Sequence, residues 1–465
     1  SSYSGISGDK TEASQGYYDY WVVKLSATGA IQWQNTIGGT SNDYLQSIKQ
    51  TADGGYILGG YSDSGISGDK IEASQGGWDY WVVKLSATGA IEWQNTIGGN
   101  YYDYLESVEQ TTDGGYILGG YSYSGISGDK TEAIQGYYDY WVVKLSATGA
   151  IQWQNTIGGN IPDYLQSIEQ TTDGGYILGG SSGSGISGDK TEGSQGSSDY
   201  WVVKLSATGT IEWQNTIGGN GTDDLQSIKQ TTDGGYILGG YSNSGISGDK
   251  TEASQGGWDY WVVKLSATGA IQWQNTIGGN AYDYLQSIQQ TTDGGYILGG
   301  YSYSGISGDK IEANQGYYSD YWVVKLSATG TIEWQNTIGG NNSDVLQSID
   351  QTTDGGYILG GTSYSGISGD KTEGVVGVNI SYSDYWVVKI PPFTKPRANF
   401  LAPSSICINA PASFTNYSVN ATAYQWQVDG ITVATTANLD YTFTAAGTHT
   451  ITLIANDGQC NHNST

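Results

Sequence analysis

Apolar and polar positions follow one pattern that returns about every 60 residues. In one copy, residues 45–51 (LQSIKQT) form a short mixed run. Asp53-Gly54-Gly55 is a tight-turn signal. Residues 56–61 (YILGGY) form an apolar run, as expected of a strand covered on both faces, with glycines that allow close packing. A long Ser- and Gly-rich loop follows. In residues 80–85 (YWVVKL), Trp81, Val83 and Leu85 share a face; Ala87-Thr88-Gly89 then turns the chain. Ile91, Trp93, Asn95 and Ile97 alternate with Glu92, Gln94 and Thr96. The pattern predicts four strands per copy, A (LQSIKQT), B (YILGGY), C (YWVVKL) and D (IQWQNTI), and contains no helical period.

The copies are nearly identical. The Trp of DYWVVK stands at Trp21, Trp81, Trp141, Trp201, Trp261, Trp322 and Trp386, spaced by 60 residues four times, then 61, then 64. Four antiparallel strands repeated in this way predict a β-propeller, with polar-faced strand D outermost. Helical solenoids require a period of about 3.6 residues, which this sequence lacks, and β-helices usually have shorter coils without hairpin signals. The first repeat residues align from Ser1 with Tyr61, just after a strand B, and the last repeat leaves after a strand C at Ile390. The expectation is therefore a seven-bladed propeller over residues 1–390, completed by an upstream segment carrying D, A and B. The alternative is six blades and a stray strand.

Pro391, Pro392 and Pro396 mark a rigid linker over residues 391–397. Beyond it, residues 398–465 lose the repeat but keep β alternation at Tyr424-Gln425-Trp426-Gln427-Val428, turning at Asp429-Gly430, with further strands at residues 431–434 and 448–455. Ala398-Asn399-Phe400, Ser413-Phe414-Thr415-Asn416, Tyr424-Gln425-Trp426 and residues 446–453 (AGTHTITL) resemble the PKD type of immunoglobulin-like domain. The WDFGDG signature of that family is degraded here to residues 426–430 (WQVDG). The repeats resemble the tandem DYWVVKL…DGGYI propeller repeats of large secreted proteins in Bacteroidetes-type bacteria. Together the resemblances imply an extracellular or cell-surface protein, often exported by type IX secretion and often adhesive, that extends beyond both ends of this sequence. The sorting domain expected in that setting does not occur in the sequence.

Composition narrows the partners. Lys+Arg number 18 against 45 Asp+Glu, a formal charge of −27. Such a surface repels nucleic acid and anionic lipid, so neither is expected as a partner. No apolar run reaches the ~18 residues that span a bilayer, so no membrane-spanning helix is expected in this sequence. The sequence contains no Met, as expected of a processed or trimmed piece. The two cysteines, Cys407 and Cys460, lie in the tail near its first and last strands, and are expected to pair in an oxidising compartment.

The repeat region contains no His, Cys, Met or Arg. Ser-His triads, Cys nucleophiles, zinc sites and arginine clamps are therefore out of reach there. The Thr-Gly…Trp hairpin of quinone-dependent propellers is present without their other cofactor contacts, so no organic cofactor is expected. Paired acids could cleave a glycan, but the acids at fixed positions recur in nearly every copy, whereas a catalytic site breaks symmetry. The expectation is a protein that is not an enzyme. Asp69 and Glu72, three apart in a flexible loop, offer hard oxygen ligands for Ca²⁺, as do Asp129 and Glu132, Asp189 and Glu192, and Asp249 and Glu252. The competing reading is that these acids brace turns by accepting backbone N–H bonds.

Trp21- and Trp33-type residues alternate on strands and are expected in the core between blades. Loop aromatics differ: Tyr17, Tyr18, Trp78, Tyr101, Tyr102, Tyr137, Tyr138, Trp258, Tyr282, Tyr317 and Tyr318 vary between copies. Aromatics set among Ser, Gly and Asn are a common build of recognition surfaces. The A–B turn (TTDGG) and the C–D turn (SATG) hardly vary, while the D–A loop (Asn100-Tyr101-Tyr102 against Asn160-Ile161-Pro162, for example) and the B–C loop do. Both length insertions fall in B–C, one of them over residues 375–383. In a propeller D–A and B–C loops emerge on one face. The sequence therefore points to adhesion or ligand capture by that face, with a glycan or a protein on another cell surface as partner. The alternatives are a structural spacer in a surface fibre and a glycan-processing enzyme.

Overall fold

The computed structural model describes residues 1–375, 383–392, 398–403, 406–418, 421–456 and 461–464. It divides into two compact units: Ser1–Gln351 with Ile358–Lys389, and Thr352–Tyr357 with Ile390–Thr465. Every regular element among the described residues is a strand, and no helix there is long and apolar enough to cross a membrane.

In the first unit, β1 (Tyr20–Leu25) and β2 (Ile31–Ile37) pair antiparallel. Next, β3 (Asp43–Gln50), β4 (Tyr56–Ser62), β5 (Asp79–Leu85) and β6 (Ile91–Ile97) form a four-stranded antiparallel sheet in sequence order. Four further sheets of the same order follow: β7–β10 (residues 103–157), β11–β14 (163–217), β15–β18 (223–277) and β19–β22 (283–338). A three-stranded sheet of β23 (Asp344–Gln351), β24 (Tyr357–Ser363) and β25 (Asp384–Ile390) ends the series. These are the expected strands A to D, and strand A packs against strand A of the next sheet.

Strand A starts two residues earlier than the alternation suggests, because Asp43 and Tyr44 pair with Ser62 and Tyr61 before the register shifts between Leu45 and Ser47. That bulge puts an extra residue in one strand and breaks the period of two.

Successive sheets share one core. Ile57, Tyr80, Val82 and Ile97 of one meet Leu105, Val108, Leu118, Trp141 and Val143 of the next. Trp81, Trp141, Trp201, Trp261 and Trp322 are fully buried, and truncating such a side chain costs about 3–5 kcal/mol. Trp93 reaches Tyr116 of the following sheet at 5.5 Å between ring centroids. Tyr80 donates its hydroxyl proton to the Trp141 carbonyl at 3.0 Å, and Tyr20, Tyr140, Tyr200, Tyr260 and Tyr321 do the same one repeat on. The same bond joins last to first: Tyr385 donates to the Trp21 carbonyl at 3.0 Å, with their rings stacked at 4.9 Å.

The second unit contains two antiparallel sheets, β26 (Phe400–Leu401), β27 (Pro411–Asn416) and β30 (Leu439–Thr442) in one, and β28 (Ala423–Val428), β29 (Ile431–Ala434), β31 (Ile451–Asn456) and β32 (Asn461–Ser464) in the other. Phe414 and Leu439 from the first sheet pack with Trp426, Val428, Leu453 and Ala455 from the second. Cys407 is exposed. Its expected partner Cys460 lies outside the described residues, as does most of the 375–383 insertion.

Candidate functional site

The D–A and B–C loops lie together. Ser41 N–H donates to Ser64 Oγ at 3.0 Å, Gly77 N–H to the Tyr101 carbonyl at 2.6 Å and Asp103 N–H to the Trp78 carbonyl at 2.6 Å. The A–B turn is tied to the other end of the strands, where buried Lys84 meets Asp53 at 2.9 Å.

Beneath the loops, each sheet boundary holds a buried charge set. Asp79 opens strand C and Asp103 opens the next strand A; both are fully buried. Asp103 Oδ2 accepts Gly99 N–H at 2.7 Å and Ser124 Oγ–H at 3.0 Å, while Asp79 Oδ2 accepts the Gln75 N–H. The Oδ1 atoms of both have no hydrogen-bond partner, and the same holds for Asp139 with Asp163 and for Asp199 with Asp223. Burial, with the Asp103 charge adding to it, pushes the Asp79 carboxyl up to about 7. Burial pushes the Lys70 ammonium down to about 8, against the pull of Asp43 and Asp79. The two glycines after strand D fit this packing: a Cβ on Gly98 would lie 2.1 Å from Asp79 Oδ1, and one on Gly99 2.4 Å from Ser124 Cβ.

The acids considered for calcium point to different partners. Asp69 Oδ2 accepts Gly38 N–H of the preceding copy at 3.3 Å and the Gln15 side-chain amide, whereas Glu72 Oε2 accepts Thr96 N–H at 2.8 Å. Asp129 and Glu132 repeat this with Gly98 and Thr156, Asp189 and Glu192 with Gly158 and Thr216, and Asp249 and Glu252 with Gly218 and Thr276. Among the described residues no group of three or more His, Cys, Asp or Glu is placed to hold a metal ion.

The loop aromatics do come together, on residues the sequence pattern did not single out. Trp78 packs on Tyr44 and Tyr61, at 5.4 and 5.3 Å. Tyr138 packs on Tyr121 and Tyr164, at 5.5 and 5.7 Å, and Trp258 meets Tyr241 edge-on at 5.3 Å. Tyr102 and Tyr282 stack over Tyr104 and Tyr284 at 6.3 and 6.2 Å. The second residue of strand A and the sixth of strand B thus form a platform, linked between sheets by Tyr61–Tyr104, Tyr121–Tyr164 and Tyr241–Tyr284 contacts of 4.9, 5.0 and 4.9 Å. Tyr18 joins the same array through Tyr3 and Tyr44.

Among the described residues the array forms two arcs. One runs from Tyr3 to Tyr164, and the other takes in Tyr241, Trp258, Tyr284, Tyr301 and Tyr303. Between them Asp224 replaces the tyrosine of strand A and Ser181 that of strand B; Val345 and Thr362 make the second gap. Tyr17, Tyr101, Tyr137 and Tyr317 are exposed by 70, 51, 56 and 100%, whereas Trp78 and Trp258 are half-buried.

Two acids in this region depart from the repeat, contrary to the reading that the acids are symmetric. Glu106 stands where other copies have Gln46, Gln166 or Gln226, and Asp224 stands where four of the other five copies have tyrosine and one has Val345. Burial raises both carboxyls, Glu106 to about 7; it accepts a bond from the Gln46 amide at 3.0 Å. Comparing the copies column by column was the available signal for them.

No family model matches the chain. It is 23% identical over 266 residues to the regulatory protein FlaEY of Caulobacter vibrioides, an alignment covering 53% of this chain and 28% of that protein. The chain thus spans less than a third of the length of this curated relative. Among solved structures it is similar to an exo-β-1,3-galactanase from Phanerochaete chrysosporium (13% identity, TM-score 0.33, 96% of this chain and 94% of that one). It is likewise similar to an apocarotenoid oxygenase from Synechocystis (11% identity, TM-score 0.36, 93% and 95%).

Proposed function

We propose that the chain is a non-enzymatic recognition module of a larger extracellular bacterial surface protein. In this reading a seven-bladed β-propeller is followed by a PKD-like, immunoglobulin-type sandwich. Seven strands of type C, and the Tyr385–Trp21 bond that repeats every other sheet-to-sheet bond, support the blade count.

The observation that carries the functional reading is the aromatic platform with exposed tyrosines above it, on the loops that vary between copies. Flat apolar rings beside Ser, Asn and Gly hydrogen-bonding groups match the chemistry of a sugar face or a protein surface. The surplus of acids favours neutral glycans or cationic protein surfaces over anionic polymers. Related but distinct patches on successive blades make binding multivalent and individually weak. A screen of the fragment against neutral and anionic glycan arrays and whole cells tests this. Saturable binding to neutral glycans or cells is expected; uniform failure to bind either, with the protein folded, contradicts it.

A further inference from the structure

One place in the first unit lacks what every other sheet boundary has. Among the described residues, β1 pairs with β2 along one edge only, apart from a single bridge between Ser2 and Asp19. Each later strand of type C pairs along its other edge with a full strand B, as β5 does with β4.

The two walls of this gap carry the complementary deficits. On one wall is Gly360 of β24. The equivalent Gly59, Gly119, Gly179, Gly239 and Gly299 are all covered by the Leu and the Ile or Val of the next strand A, so closely that an added Cβ would approach them to between 2.5 and 2.8 Å. A Cβ on Gly360 would meet nothing within 4 Å. Val387 beside it is 45% exposed, where Val82, Val142, Val202, Val262 and Val323 are fully buried. On the other wall, Ile48 of β3 is 42% exposed, while Val108, Ile168, Ile228, Ile288 and Ile349 are buried. Ile48 is the residue that a strand-B glycine from the preceding sheet would cover. One wall lacks a Leu and an Ile, and the other lacks a glycine strand.

The register for filling the gap is already set. Ser2 bridges Asp19 as Ser62 pairs with Asp79. Ser1 Oγ accepts Leu45 N–H at 2.8 Å, as Ser181 Oγ accepts Leu225 N–H at 3.0 Å. Ser1 and Ser2 therefore occupy the last two places of a strand B.

We propose that this gap is a docking site for a β-hairpin with the repeat's own inner-strand sequence, DYLQSIxQTTDGGYILGG, running into Ser1 in the strand-B register. Its Leu and Ile would cover Gly360, its glycines would cover Ile48, and its second strand would pair with the free edge of β1. The proposal does not depend on what the loop face binds.

The test fuses a copy of residues 283–300 directly ahead of Ser1, and compares it with the same fusion carrying Asp in place of the copied Leu and Ile. Hydrogen exchange at Trp21–Leu25 should slow by about tenfold or more in the first fusion only, and its melting temperature should rise. Unchanged exchange in both fusions would overturn the proposal, and so would equal slowing in both. If a fusion does not fold, the free hairpin peptide titrated onto the unmodified protein decides: saturable slowing at Val22–Leu25 supports the site, and no slowing overturns it.

Discussion

Single residues in this repeat are held by burial as much as by bonds. The Asp79 series shows it. Burial raises Asp79, Asp139 and Asp320 to about 7, and Asp19, Asp199 and Asp259 to about 6. Each such group binds a proton in the fold that the unfolded chain has lost above about pH 4, so stability falls as pH rises from about 4 to about 7. The Lys70 series titrates near 8 instead of 10.5, so the unfolded chain binds more protons between those values and stability recovers there. Asp113, Asp173 and Asp233, lowered to about 2, stabilise the fold above about pH 4, and that contribution is lost as pH drops below it. Thermal melts should place the highest melting temperature near pH 4 and a shallow minimum near pH 7.5. Asp79→Asn with Asp139→Asn should flatten the acid-side slope; a melting temperature higher at pH 7.5 than at pH 5 would contradict the assignment. At the same scale, Asp69 and Glu72 with their bonds to Gly38 and Thr96 act as braces. Millimolar calcium or a chelator should leave the melting temperature unchanged; a rise with calcium would mean that the acids regroup around the ion.

At the scale of strands, the repeat was legible because its period is long, its copies are nearly identical and its turns carry DGG and ATG signals. Strands B, C and D lie within one residue of YILGGY, YWVVKL and IQWQNTI, but strand C, as β5, is buried along its whole length rather than on alternate residues, and Thr96 of strand D, expected to face out, is buried. What the alternation concealed lies near the strand-A bulge. Tyr44 meets Tyr18 of the preceding copy and Tyr61 meets Tyr104 of the next sheet, contacts between copies that no local pattern records. Glycines can be ranked at this scale. Gly119→Ala should cost about 1–3 kcal/mol, because its Cβ would press on Ile168 and Leu165 at 2.8 and 3.0 Å. Gly360→Ala, facing open space, should be close to neutral. Chemical denaturation of the two variants measures the difference, and equal losses would show that a general strand effect outweighs the sheet-to-sheet contact.

Over the whole molecule, the fixed A–B and C–D turns and the variable D–A and B–C loops separate two ends of the sheets. The aromatic arcs, the symmetry-breaking Glu106 and Asp224, and the exposed tyrosines all belong with the variable loops. Trp78 and Trp258 were attractive from sequence as contact residues, but their packing on Tyr44, Tyr61 and Tyr241 means that removing them disturbs the platform as well. Exposed rings make the cleaner probe. The most direct measurement is attachment to neutral glycans or cells by a variant with Tyr101, Tyr137, Tyr282 and Tyr317 all changed to Ala, compared with one changed at Thr88 and Thr148 in the C–D turns. The account predicts that the tyrosine variant loses most of its attachment at an unchanged melting temperature while the turn variant keeps it; full attachment by the tyrosine variant, or loss in the turn variant alone, would contradict it.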